Sequence, residues 1–288
     1  MKNAERILVD CLKRYGARAG IGVEFLSHDW IAVLSRGPLR HLVYGYDLGL
    51  NGAAASKIAS DKSATYAVLA ASGLPAVEHR VFLHPRLLGF VPVDGNWDGM
   101  LTAFESFGRD AVIKDNEGTG GMEVFRVGSR TELEQRAHQL FQIARAVALS
   151  PFLEIEAETR FVMLAGKCLL AYRKERATGE WRHNLGLGAR AVPLDLAEPA
   201  LQPSLRLAEA AMAALTLRFA SIDVVRVASQ PLVLEANAGV MLEVASRPEL
   251  GGQELAEQIY GQALDLALAI AETDGANRQA SANALKSP

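Results

Sequence analysis

"PLVLEANAGVML", Pro231 to Leu242, starts as an apolar strand and ends on polar oxygen donors. Alternate residues of a strand share a face, so Glu235 and Asn237 point the same way. Just upstream, "SIDVVRVA" (Ser221 to Ala228) reads as another strand, with Ser229-Gln230 as the turn between the two. Such a hairpin sets Asp223 beside Glu235. Two carboxylates and one amide oxygen form a hard donor set, suited to Mg2+ held largely through substrate phosphates. No His or Cys joins them, which disfavours zinc. On its own such a pair is more often two exposed hairpin ends. The rest of the chain has to decide.

Three more stretches carry polar residues where strands end. In "AVIKDNEGTGGMEV", Lys114 closes an apolar strand and precedes Gly118, Thr119, Gly120 and Gly121. Glycines let backbone N–H groups close on phosphate oxygens, and an ammonium adds point charge. The plain alternative is an ordinary glycine-rich hairpin turn. The Gly-Lys-Ser/Thr ending of a P-loop is missing, and so is the His-Arg-Asp loop of protein kinases. "SPFLEIEAETRF" alternates Glu154, Glu156 and Glu158 before Arg160. It reads either as a solvated strand edge or as a nucleotide wall, with the backbone of Phe152 to Glu154 on adenine and Glu158 on ribose. "WRHNLGLGA" sets Arg182, His183 and Asn184 in a loop, where Arg182 can fork onto an anion. His183 reads as a partner within that loop.

Composition bounds the class. The chain has 288 residues, half of them hydrophobic, and a formal charge of −3. That is length for one large domain or two smaller ones. Without a basic run to track phosphates, nucleic acid is excluded as the principal ligand. No apolar run is long enough to span a membrane, and the first residues are amphipathic rather than signal-like. Cys11 and Cys168 are too few for a disulfide framework or zinc site. Both read as small apolar packing residues in a reducing, cytoplasmic setting.

The periodicities predict mixed elements, an α+β chain rather than an alternating parallel fold. Helices are expected over Ala4 to Arg18, over "AAASKIASDKSATYAVLAASG" up to Gly73, from Ser129 to Leu149, from Ser204 to Leu217 and from Gly252 to Glu272. Strands are expected at "WIAVL", "HLVYG", "DAVIK", "MEVFRV", "TRFVMLAG" and "KCLLAYRKE". The boundaries fall at 1–45, a short N-terminal domain; 46–149, with the glycine-rich loop; 150–273, with the carboxylates; and 274–288, a polar tail expected to be disordered.

Taken in order, "SDKSATYAVLAASGLPAVEHRVF", "VIKDNEGTGGMEV", "EIEAETRFVMLAGKCLLAYRKE", "WRHNLGLGA" and "IDVVRVASQPLVLEANAG" resemble the ATP-grasp superfamily of carboxylate–amine ligases. They are most similar to ligases that add glutamate to a ribosomal protein tail and to the ATP-grasp part of cyanophycin synthetase. The likeness runs from about Tyr46 to Leu268. It implies an ATP-grasp fold, two α+β subdomains gripping ATP behind a shortened N-terminal domain. It also implies Lys62 and Lys114 on the ATP phosphates, Gly118 to Gly121 folding over them, and Glu158 on the ribose. Asp223, Glu235 and Asn237 would ligate two Mg2+ ions, with Mn2+ as a substitute. Arg160, Arg182 and Asn184 would face the transferred phosphate and the reacting carboxylate.

The chain departs from that pattern in four places. The hinge acid or Gln that accepts from adenine falls near Ser150-Pro151. Ser221 stands where some relatives carry Arg, so Arg182 takes that load. "AGVMLEV" replaces a Ser-Pro-Gly turn, and only residues 1–45 precede the core. The expected function is an ADP-forming ligase joining a small carboxylate and an amine through an acylphosphate. The alternatives are carboxylate activation for a different acceptor and a nucleotide-binding regulatory protein without catalysis. The small front end also predicts a homodimer whose N-terminal segments cover one another.

Overall fold

The structure, a computed structural model, describes residues 6–90 and 96–284. Helix α1 (Ile7–Ala19) leads into an antiparallel sheet of β1 (Gly22–Leu26), β2 (Ile31–Arg36) and β3 (Leu39–Tyr44). Helices α2 (Ala53–Ser60) and α3 (Lys62–Ala71) follow. A four-stranded sheet comes next, ordered β4 (Arg80–Leu83), β7 (Ala146–Pro151), β5 (Ala111–Asp115), β6 (Val124–Val127), and packed on α4 (Trp97–Ser106) and α5 (Arg130–Leu140). The last part is a five-stranded sheet ordered β10 (Arg190–Pro193), β9 (Lys167–Glu175), β8 (Ala157–Leu164), β11 (Phe219–Val227), β12 (Gln230–Asn237). Helix α6 (Gln202–Ala214) covers one face, and α7 (Gly252–Ala284) helps to cover the other.

Strand alternation explains why that sheet has two cores. Phe161, Met163, Ala171 and Ile222 pack with α2, α3 and α6. Val162, Leu164, Tyr172 and Phe219 pack with α1, α7 and the three-stranded sheet. Toward the other end of the second face the residues turn ionic: Glu158, Arg160, Lys174 and Asp223. One strand face thus serves as core over half its length and as a charged wall over the rest. Both cysteines are reduced and packed in the protein, and burial pushes both thiols up to about 12.

Several boundaries differ from the sequence expectation. The helix expected from Ser129 to Leu149 ends at Leu140, and Ala146–Pro151 is an inner strand. Its alternating Ala-Val-Ala-Leu is buried on both faces, and tertiary pairing with β4 and β5 overrides the helical spacing. The helix expected up to Gly73 is broken at Asp61. There the Asp61 carboxylate accepts from Ala64 N at 2.7 Å and from Ser63 Oγ at 2.8 Å, capping α3 afresh. The tail expected to be disordered from Asp274 is helical as far as Ala284, continuing α7 through residues of good helix propensity such as Ala, Arg and Gln. Its last four residues lie outside the described residues.

The apolar stripe of α1 packs within the chain itself. Leu8, Cys11, Leu12 and Tyr15 are buried in the chain's own core, and Tyr15 donates to Asp265 of α7 at 2.6 Å.

Candidate functional site

The hairpin of β11 and β12 turns through Ala228 and Ser229, both in the left-handed region as a two-residue turn requires. Its register makes Asp223 and Glu235 direct partners, with a bulge beside Asp223. On the other side Asp223 pairs with Arg160 of β8, and Glu158 pairs with Lys174 of β9. The side chains form one network. Arg160 forks onto Asp223, Nε to Oδ1 at 2.7 Å and Nη2 to Oδ2 at 2.6 Å. Lys174 donates to Asp223 at 2.8 Å and to Glu158 at 2.5 Å.

Asp223 is 0% exposed. Burial works to raise its pKa, but Arg160 and Lys174 outweigh it and hold the carboxyl well below the usual range. Lys174 stays protonated for the reciprocal reason: Asp223 and Glu158 outweigh burial and Arg160. Glu235 is left at the rim, 3.8 Å from Arg160 and 3.4 Å from the Asn237 amide nitrogen. With two cations and three carboxylates, the wall keeps one unit of negative charge at its open edge.

The opposite wall belongs to β5 and the start of α3. Lys62 is tied to the loop after β5, its Nζ donating to Gly118 O at 2.5 Å and its N–H to Asn116 O at 3.1 Å. Lys114 is 8% exposed, and its ammonium makes no hydrogen bond or ion pair among the described residues. Burial and the Lys62 charge push its ammonium down to about 8. Two ammoniums therefore share a buried wall with no carboxylate bonded to either.

Between the walls hangs the loop 116–123. Asn184 donates to Gly120 O and accepts from Gly186 N at 2.6 Å. Gly121 packs so tightly that an added Cβ would lie 1.7 Å from the Asn184 amide nitrogen. Thr119 lies in the same loop, and Gly118 leans on Asp115.

Other expected residues sit differently. Arg182 is forked onto Glu180, at 2.9 and 2.8 Å, and reaches Val124 O at 3.4 Å, so it ties its loop to β6. That guanidinium pulls Glu180 down to about 2. Glu158, expected at a ribose, is buried against Lys174. Phe152 lies under the Arg126 guanidinium, 3.5 Å from its ring, and edge-on to Trp181 at 5.6 Å, while Glu154 is exposed. Sequence reasoning missed Lys174. The alternation of "KCLLAYRKE" puts it on the Tyr172 face, and its pairing opposite Glu158 was the signal to look for.

The donor set suits Mg2+ in kind. Among the described residues no group of three His, Cys, Asp or Glu side chains is placed to hold a metal. Glu235 and Asn237 are the accessible donors, and Asp223 reaches an ion only if Arg160 or Lys174 yields.

Comparison with known proteins agrees with this arrangement. Residues 59–261 match the model of the RimK-like ATP-grasp domain. The chain is 30% identical over 199 residues to a "Probable alpha-L-glutamate ligase" of Sodalis glossinidius, covering 67% of this chain and 61% of that one. It is 28% identical over 138 residues to one of Psychromonas ingrahamii, covering 47% and 44%. The match thus spans about half the length of these relatives. Among solved structures, D-alanine–D-alanine ligase from Bacillus anthracis, complexed with ATP, superposes with a TM-score of 0.58 at 17% identity, covering 78% of this chain and 71% of that one. A bifunctional glutathione synthetase from Pasteurella multocida gives 0.56 at 14%, covering 90% and 44%. Matched by its family model over well more than half its length, the chain belongs to the RimK-like ATP-grasp family.

Proposed function

We propose that this protein is an ATP-dependent ligase that joins a carboxylate to an amine through an acylphosphate. The observation that carries the reading is the mismatch between its two walls. Lys62 and Lys114 stand buried without an anionic partner, facing a strand end that offers Glu235 and Asn237. A phosphate chain complements the first, and a phosphate-bound divalent cation complements the second.

In this reading a substrate carboxylate oxygen attacks the γ-phosphorus, the bond to the bridging oxygen breaks, and ADP leaves. The amine nitrogen then attacks the acyl carbon, loses a proton, and phosphate departs. Neither step needs a protein nucleophile. Both need charge stabilised on phosphoryl oxygens. Lys62 and Lys114 hold the phosphates and the loop with Gly118, Thr119, Gly120 and Gly121 covers them. Glu235 and Asn237 hold Mg2+, two ions with Mn2+ as substitute, and Asp223 supports them from behind. When bound, the ions neutralise phosphoryl charge. Phe152 and Glu154 border the base, Glu158 the ribose side. Arg160 borders the reacting centre, while Arg182 and Asn184 hold the covering loop until substrate arrives.

Small molecules are the substrates in this reading, and glutamate, which the relatives' names contain, is the first amine to try. We further infer a cytoplasmic homodimer. Leu26, Trp30, Leu42 and Tyr44 are exposed at the three-stranded sheet, and a second copy would cover them. The test of the function is ADP release with Mg2+ and pooled amino acids. Release that depends on the amino acids supports a ligase. Nucleotide binding with no release under any pool would leave only a binding protein. Light scattering at micromolar concentration tests the dimer, and a stable monomer rejects it.

A further inference from the structure

We propose that His79 is a ligand-contacting residue of the cleft, its Nε2 accepting a hydrogen bond from the exocyclic amino group of the bound base. This rests on the reading of the cleft as an ATP site.

His79 stands one residue before β4 and is 3% exposed. Its Nδ1 lies 2.9 Å from Val77 O. A carbonyl oxygen only accepts, so Nδ1 carries the hydrogen and Nε2 of the neutral ring is left with a lone pair. That Nε2 is enclosed and has no hydrogen-bond partner among the described residues. Buried acceptors in native proteins are nearly always paired, and an exception asks for an absent partner. Burial first, then the Lys114 and Lys62 ammoniums, keep the ring neutral. The same interactions locate it beside the two lysines.

The character of the vacant partner follows from the lone pair. A phosphate oxygen offers no proton and is repelled. The missing group must be a donor, and in ATP the donors are the 6-amino group and the ribose hydroxyls. The surrounding wall favours the base. Lys114 and Val112 of β5 and Ala148 and Ser150 of β7 share one face of the sheet, opposite the core face of Ile113 and Leu149. Val81 pairs with Ala148 on that face, two residues after His79. Small side chains there leave room for a flat ring, and Lys114 stands at the phosphate side of it.

The experiment compares ATP, 2′-deoxy-ATP and purine riboside triphosphate, which lacks only the 6-amino group, by calorimetric titration of wild type and variants. Wild type should bind ATP about tenfold tighter than the purine analogue, the scale of one buried hydrogen bond. His79→Phe should bring ATP down to the analogue's affinity and leave the analogue unchanged, whereas His79→Gln, which keeps an acceptor, should retain most of the preference. Wild type with no preference for the amino group overturns the proposal without any variant. Equal loss for all three nucleotides in His79→Phe overturns it too, and assigns the ring to holding Lys114. So does a loss tied to the 2′-hydroxyl. If wild type binds no nucleotide, it is the ATP reading that has failed, a result distinct from all of these.

Discussion

Two clusters of buried charge face each other in this protein, and only one is complete. Around Asp223 every charge has a partner: Arg160 takes both oxygens, and Lys174 bridges to Glu158. Around the Lys114 ammonium there is none among the described residues. The first cluster joins three neighbouring strands, fixes their register and needs no ligand. The second is stable enough to persist but leaves an ammonium desolvated, which costs free energy until an anion arrives. The difference separates structure from receptor. Its sharpest consequence is that Asp223 and Glu235, which look alike in the sequence, should behave differently when changed.

The largest effect should come from Glu235→Ala. The side chain is at the rim with only long polar contacts, so its loss removes charge from the cleft without opening a core. ADP formation should fall at least a hundredfold, on the order of the loss of one preorganised electrostatic contact, with an unchanged melting temperature. Near-normal turnover would remove Glu235 from the metal site. Asp223→Asn should act mainly on the fold. It leaves Arg160 and Lys174 buried with one anion fewer, and breaking such a network typically costs about 3–5 kcal/mol. Urea unfolding should show it. A variant as stable as wild type would mean that the network is not what holds these strands.

Lys114→Met tests the incomplete cluster at intermediate size. ATP affinity should fall about tenfold, the scale of a charge-assisted hydrogen bond. The pH dependence is the more specific readout. Unfolded, the lysine titrates at about its ordinary 10.5; folded and empty, it does so at about 8. A lowered lysine pKa means that the charged form is penalised by folding. The penalty is fully present below pH 8 and fades as pH rises toward 10.5. The empty protein therefore gains stability across that window, while phosphate, which favours the ammonium, loses affinity. Titrations at pH 9 in buffers of different ionisation heat should register uptake of about one proton per ATP. In Lys114→Met that uptake should disappear. Uptake that persists in the variant would assign the proton to another group.

The sequence was legible where local chemistry and tertiary context agreed. The strand-turn-strand of 221–237 was legible as a hairpin, but its turn falls at Ala228-Ser229, one residue earlier than read, and it is the bulge beside Asp223 that sets Asp223 opposite Glu235 rather than Leu234. The Lys114 strand and its glycines were equally plain. What could not be read were choices made by packing. The stretch 141–149 has helical spacing, yet 141–145 turn and the apolar residues from Ala146 fill an inner strand slot between β4 and β5. Asp61 ends one helix with its backbone N–H, which bonds Lys57 O and Ile58 O, and starts the next with its side chain. Lys174 looked like the polar end of a strand, and only pairing with Glu158 across β8 makes it a buried cation. Arg182 has a carboxylate two residues before it, and Glu180 takes its fork locally.

The smallest predicted effect concerns the loop between the clusters. Gly120 and Gly121 both lie in the left-handed region, at φ 72° and 66°, so alanine at either strains the backbone by roughly 1 kcal/mol. They differ in surroundings. An added Cβ at Gly120 meets nothing within 4 Å, whereas at Gly121 it meets the Asn184 side chain at 1.7 Å. Gly120→Ala should therefore raise the KM for ATP only slightly, about fivefold at most for strain of that size. Gly121→Ala should do more, because Asn184 must leave Gly120 O and the covering loop loses its clasp. The separation comes from the double variant. If the extra loss is the collision, Gly121→Ala made in an Asn184→Ala background should cost no more than Gly120→Ala does in wild type. Losses that simply add, with Gly121→Ala equally damaging whether or not Asn184 is present, would show that the loop closes without this contact. The contrast between a closed wall and a receptive one would then need another element to bring them together.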